Sequence, residues 1–390
     1  MKKDMGIYIH IPFCAQKCTY CDFVSYACKQ TMWKPYIQWL LEEIKQVGEG
    51  NAFDAKEGLD AKIGVKTIYI GGGTPSILPP EDIENIIKTV YTYLEVDKDA
   101  EITIEVNPGT VTEEKLQRYR KAGINRISIG MQAMQPHLLQ MLGRIHTKQQ
   151  AIQTYELARK AGFENCNIDM MLGLPQQTME DIQETVKEIL TLAPEHISMY
   201  SLIVEEGTLL EKQIEEGNLV LPTEEIERNM YWKVKKLLEE AGYIHYEISN
   251  FAKPGKQSKH NLDCWNQKEY IGFGVGAHSY TNGIRYSNID SVEDYIAHYE
   301  ADKWQDNLIF HEKQNTQSMQ KEYMLLGFRK LDGISISEFK CKFVDNPCYV
   351  FRKELDKLCK EELVIIEDED TIKLTKKGLD VANLVFEEFV

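Results

Sequence analysis

The amino-acid sequence lacks any long apolar run. Its amino-terminal apolar stretch, residues 7–13, is short and is interrupted by His10 and Pro12. A spanning helix needs about 20 consecutive apolar residues, and a secretory signal needs a continuous apolar core. We therefore expect a cytoplasmic protein without a transmembrane segment.

Blocks of basic residues are also missing. The 390 residues include 45 Lys and Arg against 61 Asp and Glu, which gives a formal net charge of −16. Proteins that bind nucleic acid neutralise phosphates with a basic patch, and anionic membrane surfaces attract basic segments. The charge therefore argues against a nucleic-acid partner and against electrostatic attachment to a membrane.

A second pair of cysteines is missing as well. A structural zinc site usually takes four ligands as two separated pairs, and no C-x2-C pair follows the first cysteines. Zinc is therefore the less favoured alternative for them. Disulfides are not expected, because the chain has no secretory signal and its 9 cysteines are irregularly spaced.

What the sequence does contain is the stretch CAQKCTYC, with Cys14, Cys18 and Cys21 at C-x3-C-x2-C spacing. Three thiolates this close can hold three irons of a [4Fe–4S] cluster and leave the fourth iron open. An open iron can bind a small chelating molecule and pass it an electron. The spacing therefore predicts a reaction centre as well as an iron–sulfur site.

The first 240 or so residues alternate short β-branched runs with amphipathic helical patterns. Candidate strands begin at Ile7, Lys66, Glu101, Arg126, Cys166 and His196. Candidate helices cover residues 33–47, 81–93, 113–122, 148–161, 179–191 and 224–241. Repeated βα units predict an α/β fold with a parallel sheet, here a partial (β/α)6 TIM-like barrel that is open on one side.

The remaining sequence breaks this alternation. We expect residues 1–242 to form the barrel and 243–305 to form a connecting segment that packs on its open side. Residues 306–390 predict a small carboxy-terminal domain that resembles a winged helix, with a capping box at Ser335 and Glu338 and a hairpin across the acidic DED turn. In an acidic chain we interpret it as a protein-binding or lid module.

Polar residues collect where the predicted strands end, and in barrels of this type functional groups gather there. The glycines of GGGTP, residues 71–75, would let backbone N–H groups approach a ligand, although a plain tight turn is the alternative. Glu105 lies near the end of the third predicted strand, Gln132 follows the fourth, and Asp169 lies inside the fifth. Arg144 could grip a carboxylate or form a surface ion pair.

Taken together, these groups suit a ligand that carries an amino acid head and a ribose. S-adenosylmethionine (SAM) has both. Its amino and carboxylate groups could chelate the open iron and so position the sulfonium for reductive cleavage.

Several longer motifs carry a resemblance to a known family: YIHIPFCAQKCTYCDF, GGGTPS, NRISIGMQ, NIDMMLGLP and HNLDCW. With them the chain resembles the radical SAM proteins related to oxygen-independent coproporphyrinogen III oxidase, and most of all their heme chaperone branch. The resemblance covers essentially the whole chain. It implies a [4Fe–4S] cluster on Cys14, Cys18 and Cys21 that binds SAM.

The resemblance also implies two sets of contacts. The positions expected to line the methionine and nearby parts of SAM are Tyr8, Gly72, Gly73, Thr74 and Glu105. The positions that match residues lining the oxidase pocket or a second SAM are Tyr20, Gln132, Arg144, Asp169 and Ile203.

Two departures separate the chain from the oxidase. Phe23 stands where the oxidase has a further cysteine, and Cys28 is too far along to replace it. The segment before the cluster motif is also shorter than in the oxidase. Both departures match the chaperone branch, so oxidation of coproporphyrinogen is not expected.

The chaperone branch carries an H-N-x-x-Y-W motif whose histidine is implicated in heme handling. Here the motif reads HNLDCW, with His260 retained and Cys264 in place of the tyrosine. Both residue types can ligate heme iron. For Cys264 we favour a small apolar pocket over ligation. His278 is a secondary candidate, for which a hydrogen-bonded loop position is the better interpretation.

The favoured hypothesis is a heme chaperone that binds heme, uses the cluster and SAM, and delivers heme to membrane-bound respiratory enzymes. The resemblance alone implies those acceptors. The alternative is a radical enzyme that makes a 5′-deoxyadenosyl radical and acts on an unidentified substrate. An iron–sulfur scaffold without chemistry is less favoured, because it needs neither Glu105 nor Asp169. A homodimer is left open.

Overall fold

The computed structural model describes residues 3–50 and 63–390. The strands are β1 (Lys3–Ile11), β2 (Phe13–Cys14), β3 (Tyr26–Ala27), β4 (Ile63–Gly72), β5 (Glu95–Val106), β6 (Arg126–Gln132), β7 (Cys166–Leu172), β8 (His196–Ser201), β9 (Ile244–Glu247), β10 (Asn250–Ala252), β11 (Tyr270–Phe273), β12 (His278–Thr281), β13 (Ile284–Asn288), β14 (Leu308–Lys313), β15 (Ile334–Ser335), β16 (Val364–Glu367) and β17 (Thr371–Leu374). The α-helices are α1 (Gln30–Gly48), α2 (Pro80–Tyr93), α3 (Glu113–Ala122), α4 (Pro136–Met141), α5 (Lys148–Lys160), α6 (Met179–Leu192), α7 (Leu209–Glu215), α8 (Glu224–Glu240), α9 (Lys259–Trp265), α10 (Val292–Glu300), α11 (Thr316–Gly327), α12 (Ile336–Phe343), α13 (Pro347–Val350), α14 (Arg352–Lys360), α15 (Lys376–Asp380) and α16 (Ala382–Glu387).

The centre of the main sheet is a parallel array in the order β1-β4-β5-β6-β7-β8. These strands are the ones that the sequence predicts, and helices connect them as expected for βα units. The predicted α/β class and partial six-unit barrel are confirmed.

The alternation of side chains along β1 shows why the sheet has two different faces. Ile7, Ile9 and Ile11 are fully buried in the core that the helices cover. Tyr8 and His10 point to the opposite face, where Tyr8 lies against Tyr69 of β4. Burying each isoleucine contributes about 1.5–3 kcal/mol, so the apolar face fixes the register and leaves polar residues lining the barrel interior.

The segment after the barrel extends both edges of this sheet. β10 and β9 add antiparallel strands beside β8, whereas β11 pairs parallel with β1 and begins an antiparallel run through β14. The chain crosses between the two edges through α9. The sequence predicted loops and short strands here but not their split between two edges. The three-part domain division stays a prediction.

The carboxy-terminal part has its own small sheet, in the order β15-β17-β16, and its own core. Phe328, Phe339 and Phe389 are fully buried in that core. The predicted hairpin across the acidic turn is the pair β16 and β17. Ser335 caps α12 by accepting a hydrogen bond from the backbone N–H of Glu338 at 3.1 Å. In the described residues, no helix combines the length and apolarity needed to cross a membrane.

Candidate functional site

The three cysteines lie in a loop at the carboxyl end of β1. The short pair β2 and β3 closes this loop, with Cys14 opposite Ala27. Thr74 Oγ1 lies 3.5 Å from Cys14 Sγ, and Arg144 Nη1 lies 3.6 Å from Cys18 Sγ. All three cysteines are half-buried. The loop therefore places three thiols together, next to groups from two other strand ends.

The surroundings of the three thiols suit thiolates. In the part of the chain that the structure describes, no three His, Cys, Asp or Glu side chains form a group suited to one metal ion. The three thiols nevertheless share one loop, and each faces donor groups that suit a thiolate. Cys21 Sγ lies 3.9 Å from the Ser25 hydroxyl, in addition to the contacts of Cys14 and Cys18.

The glycines after β4 pack directly on the cysteine loop. A Cβ atom built on Gly73 would lie 2.8 Å from the Phe13 carbonyl oxygen and 3.0 Å from Cys14 Sγ. On Gly72, which has a left-handed φ of 109°, it would lie 2.6 Å from the His10 ring. A side chain at Gly73 would displace the cysteine loop, and a side chain at Gly72 would displace the His10 ring. The turn therefore does more than reverse the chain, because it brings backbone against Cys14.

Glu105 at the end of β5 is held by two donors. The Tyr69 hydroxyl donates to one carboxylate oxygen at 2.8 Å, and the Gly72 N–H donates to the other at 3.2 Å. Burial raises the pKa of Glu105 to about 7, against the opposing effect of these two donors and of Arg126. Glu105 therefore gains or loses its charge near neutral pH.

Arg144 belongs to a hydrogen-bonded chain inside the site. Its Nη2 group donates to Asn107 Oδ1 at 2.7 Å and to the Gly130 carbonyl at 2.5 Å. Asn107 in turn donates to Thr74 Oγ1 at 2.8 Å. The alternative of a surface ion pair is wrong, because these contacts tie Arg144 to the strand ends and to the cysteine loop.

Gln132 ends β6 in a left-handed conformation, with φ of 65°. The register of β6 on β7 shifts between Gly130 and Gln132, as at a β-bulge, which re-aims the side chains that follow. A Cβ atom on Gly130 would lie 3.0 Å from Gln132 Nε2 and 3.1 Å from Arg144 Nη2. The amide and the guanidinium therefore converge over the same glycine.

Asp169 of β7 faces the barrel interior. It accepts hydrogen bonds from Asn167 at 2.7 Å and from Ser128 at 3.2 Å. Burial raises its pKa, whereas these donors and Arg126 lower it. Two negative charges this close repel each other, and the nearby Asp169 therefore also raises the pKa of Glu105.

The remaining three predicted contact residues differ in placement. The Tyr8 hydroxyl lies 2.9 Å from His10 Nδ1, and its ring lies 6.3 Å from that of Tyr69. Tyr20 is half-buried in the cysteine loop and packs on the small apolar cluster near α4. Ile203 follows β8, and 68% of it is exposed. The structure therefore brings Tyr8 and Tyr20 into the site but leaves Ile203 at the surface.

The HNLDCW motif forms α9, which lies at the opposite end of the barrel from the cysteines. His260 is 8% exposed, its Nδ1 lies 2.9 Å from Thr67 Oγ1, and its ring stacks on Tyr69 with 5.3 Å between centroids. Burial lowers its pKa to about 4. Cys264 follows one turn later and is half-buried, and burial raises its pKa to about 12. The two candidate heme residues therefore lie apart from the three cysteines.

Sequence reasoning missed Tyr69, Asn107 and Arg126. Tyr69 and Asn107 each lie two residues from a predicted site position, so strand alternation could have found them. Arg126 is only 2% exposed, and its Nε atom has no hydrogen-bond partner among the described residues. Nothing in its local sequence signals that burial.

Two family models match the chain. The model described as Radical SAM superfamily matches residues 8–189, and the model described as HemN C-terminal domain matches residues 319–381.

Curated relatives match it along almost its whole length. A protein of Lactococcus lactis subsp. lactis named heme chaperone HemW is 36% identical over 390 residues, which cover 100% of this chain and 98% of the relative. A Bacillus subtilis protein of the same name is 38% identical over 384 residues, which cover 98% of each.

Among solved structures, the chain is similar to coproporphyrinogen III oxidase (HemN) from Escherichia coli, described as a radical SAM enzyme. The TM-score is 0.84 at 23% identity, and the match covers 100% of this chain and 90% of that chain. At that identity the likeness shows a shared fold.

Proposed function

This chain belongs to the radical SAM family that includes the curated heme chaperones named HemW, and we propose that it takes heme as cargo and holds a [4Fe–4S] cluster with SAM at the carboxyl end of its barrel. The observation that carries the proposal is the pairing of full-length similarity to these chaperones with three thiols that lie beside Thr74 and Arg144. The chain would act in the cytoplasm and deliver heme to membrane-bound respiratory proteins.

Cys14, Cys18 and Cys21 would hold the cluster. When bound, it supplies an open iron that the SAM amino and carboxylate groups can chelate, and an electron for reductive chemistry. Arg144 donates toward Cys18 and Thr74 toward Cys14, and such contacts stabilise thiolate charge.

SAM would be held by groups that converge on the cysteine loop. The Gly73 backbone lies directly against Cys14, which would place the turn beside the bound ligand, and Glu105 offers a carboxylate to ammonium or hydroxyl groups. Thr74 and Tyr8 complete this set. The other matched positions would line the rest of the pocket: Tyr20, Gln132, Arg144 and Asp169. The exposed Ile203 would lie at its rim.

His260 and Cys264 remain the proposed heme residues. Both lie on α9, and their spacing of four places them on one side of the helix. The His260 ring is neutral at physiological pH, as a heme ligand must be. Because the ring is buried against β4, heme iron would reach it only after α9 moves away from the barrel.

The second candidate is a radical enzyme that acts on an unidentified substrate. The donor groups beside the three thiols and the buried carboxylates of Glu105 and Asp169 favour it over a scaffold without chemistry. It is distinguished from the coproporphyrinogen oxidase by Phe23, whose side chain is 63% exposed where the oxidase has a cysteine. Stoichiometric conversion of coproporphyrinogen III by this protein would contradict both proposals.

Heme titration tests the cargo. We expect the anaerobic, cluster-reconstituted protein to bind one heme that survives gel filtration, and the His260→Ala variant to bind it more weakly, by about tenfold or more, because an axial ligand is lost. His137→Ala is the matched control, since His137 is an exposed histidine on α4 that lies 4.0 Å from Asp181. Absence of retained heme in the wild type would shift the proposal to the radical enzyme.

SAM affinity should depend on pH. The pKa of Glu105 is about 7 without ligand, and SAM favours the carboxylate. Below a pH of about 7, Glu105 is mostly protonated and must lose that proton before SAM binds. The affinity for SAM should therefore fall by up to about tenfold for each pH unit below this value and stay constant above it. Equilibrium dialysis of SAM across this range measures it. A profile that rises toward acid would contradict the assignment.

A further inference from the structure

The inner face of the barrel stacks three rows of residues between α9 and the proposed SAM site. Gly6, Thr67 and Glu101 share the row nearest α9, as their strand registers show. Tyr8 and Tyr69 share the next row, and Glu105 stands in the row above. A residue at the level of Gly6, Thr67 and Glu101 can therefore affect Glu105 through the row of Tyr8 and Tyr69.

His260 occupies that supporting place. Its ring lies flat beneath Tyr69, with 28° between the planes, and it is tied to Thr67 by the 2.9 Å contact. A Cβ atom on Gly6 would lie 3.6 Å from His260 Cε1, so a larger residue there would pack against the ring. The imidazole therefore fills the space below Tyr69.

The helix that carries His260 is anchored firmly to the barrel. The Glu101 carboxylate accepts the backbone N–H groups of Lys259 at 3.2 Å and of His260 at 3.1 Å. Ser258 Oγ lies 3.4 Å from the same carboxylate. Because Glu101 lies in the same row as Thr67, backbone and ring of His260 are fixed to one level of the barrel.

Just beyond α9, Gln267 joins the carboxy-terminal domain. Gln267 donates to Glu322 at 2.7 Å and accepts from Lys342 at 2.9 Å. The segment is therefore held from both sides, and the His260 ring does not depend on a free loop for its position.

We propose that His260 is a positioning residue of the SAM site, which supports the Tyr69 ring so that its hydroxyl donates to the Glu105 carboxylate. The inference rests on the proposed binding of SAM at Glu105. It gives the motif histidine a role in the closed structure that is separate from heme ligation. Tyr69 cannot keep its hydroxyl 2.8 Å from Glu105 if its ring sinks into the space that His260 fills.

The effect should be visible in the ionisation of Glu105 as well as in affinity. The groups that face Glu105 from the surrounding strands are Tyr8, Tyr69, Arg126, Asp169 and Tyr200. Tyr69 is the side chain that donates a hydrogen bond to it. Loss of that bond removes a stabilising partner of the carboxylate, so the pH midpoint of SAM binding should rise.

The test is anaerobic equilibrium dialysis of SAM against cluster-loaded variants. Tyr69→Phe should weaken binding by about 10- to 100-fold, because a hydrogen bond to a charged group is lost. His260→Ala should weaken it by about tenfold and raise the pH midpoint. His260→Phe should restore affinity to within about threefold, since a phenyl ring keeps the stack but cannot ligate iron.

Asp263→Asn is the control on the same helix, because Asp263 pairs with Lys268 at 2.6 Å and not with the barrel interior; its SAM affinity should match the wild type. Unchanged affinity and pH midpoint in His260→Ala would overturn the inference. If that variant does not load its cluster, His260→Gln decides, since it keeps a polar group without the ring: weakened binding supports the inference and wild-type binding overturns it. No SAM binding by the wild type would instead refute the proposed function.

Discussion

Replacement of Cys18 by serine is expected to abolish the iron–sulfur cluster. Cys18 is one of three thiols in the loop, and its sulfur lies 3.6 Å from Arg144 Nη1. A serine hydroxyl is a poor ligand for iron that prefers thiolates. Changing groups that only support a metal ligand already costs about 10- to 100-fold in affinity. Loss of the ligand itself should reduce iron and sulfide after anaerobic reconstitution to background.

Cys28→Ser is the matched control for this variant. Cys28 lies just after β3, is exposed, and its sulfur lies 3.7 Å from the Ala15 carbonyl oxygen. Its variant should retain wild-type iron and sulfide content. A full cluster in Cys18→Ser, or loss of the cluster in Cys28→Ser alone, would show that the ligand set is wrong.

Replacement of Glu105 by glutamine is expected to weaken SAM binding by about 10- to 100-fold without loss of the cluster. The amide keeps the size of the side chain but removes the charge that ammonium and hydroxyl groups prefer, and hydrogen bonds to charged groups contribute about 1.5–3 kcal/mol. The Tyr69 hydroxyl and the Gly72 N–H both donate to the carboxylate, so the amide N–H₂ of glutamine would place a donor against one of these two donors. The variant should therefore lose the pH dependence around neutrality as well.

Glu95→Gln controls for a change of charge on the same strand. Glu95 begins β5 at its exposed end, whereas Glu105 lies near the other end. Dialysis of SAM at several pH values, with iron content measured in parallel, separates binding from cluster loading. Wild-type affinity in Glu105→Gln would remove Glu105 from the site. A weakened Glu95→Gln would point to a general charge effect instead.

Local sequence predicted much of this site because its chemistry lies in short motifs. Cys14, Cys18 and Cys21 are close in the chain, so their proximity required no knowledge of the fold. The glycines within residues 71–75 likewise predicted a close approach of the backbone to another group. In the structure, Gly73 approaches Cys14 and Gly72 approaches the His10 ring.

Other features depended on which strands are neighbours. Arg144 looked equally suited to a surface ion pair, and only the packing of α4 and β6 brings it to Asn107 and Cys18. Tyr69 carried no motif of its own. It became important because β4 lies beside β5, which puts its hydroxyl on Glu105.

The sequence by itself determined the parallel βα barrel, the close spacing of the three cysteines and the resemblance to heme chaperones, because periodicity and closely spaced motifs are local properties of a chain. The tertiary structure decided that His260 lies under Tyr69 at the far end of the barrel from the cysteines. It also decided that the segment after the barrel divides between two sheet edges. These contacts join residues almost 200 positions apart, and hydrogen bonding and burial select them only when the whole sheet has formed.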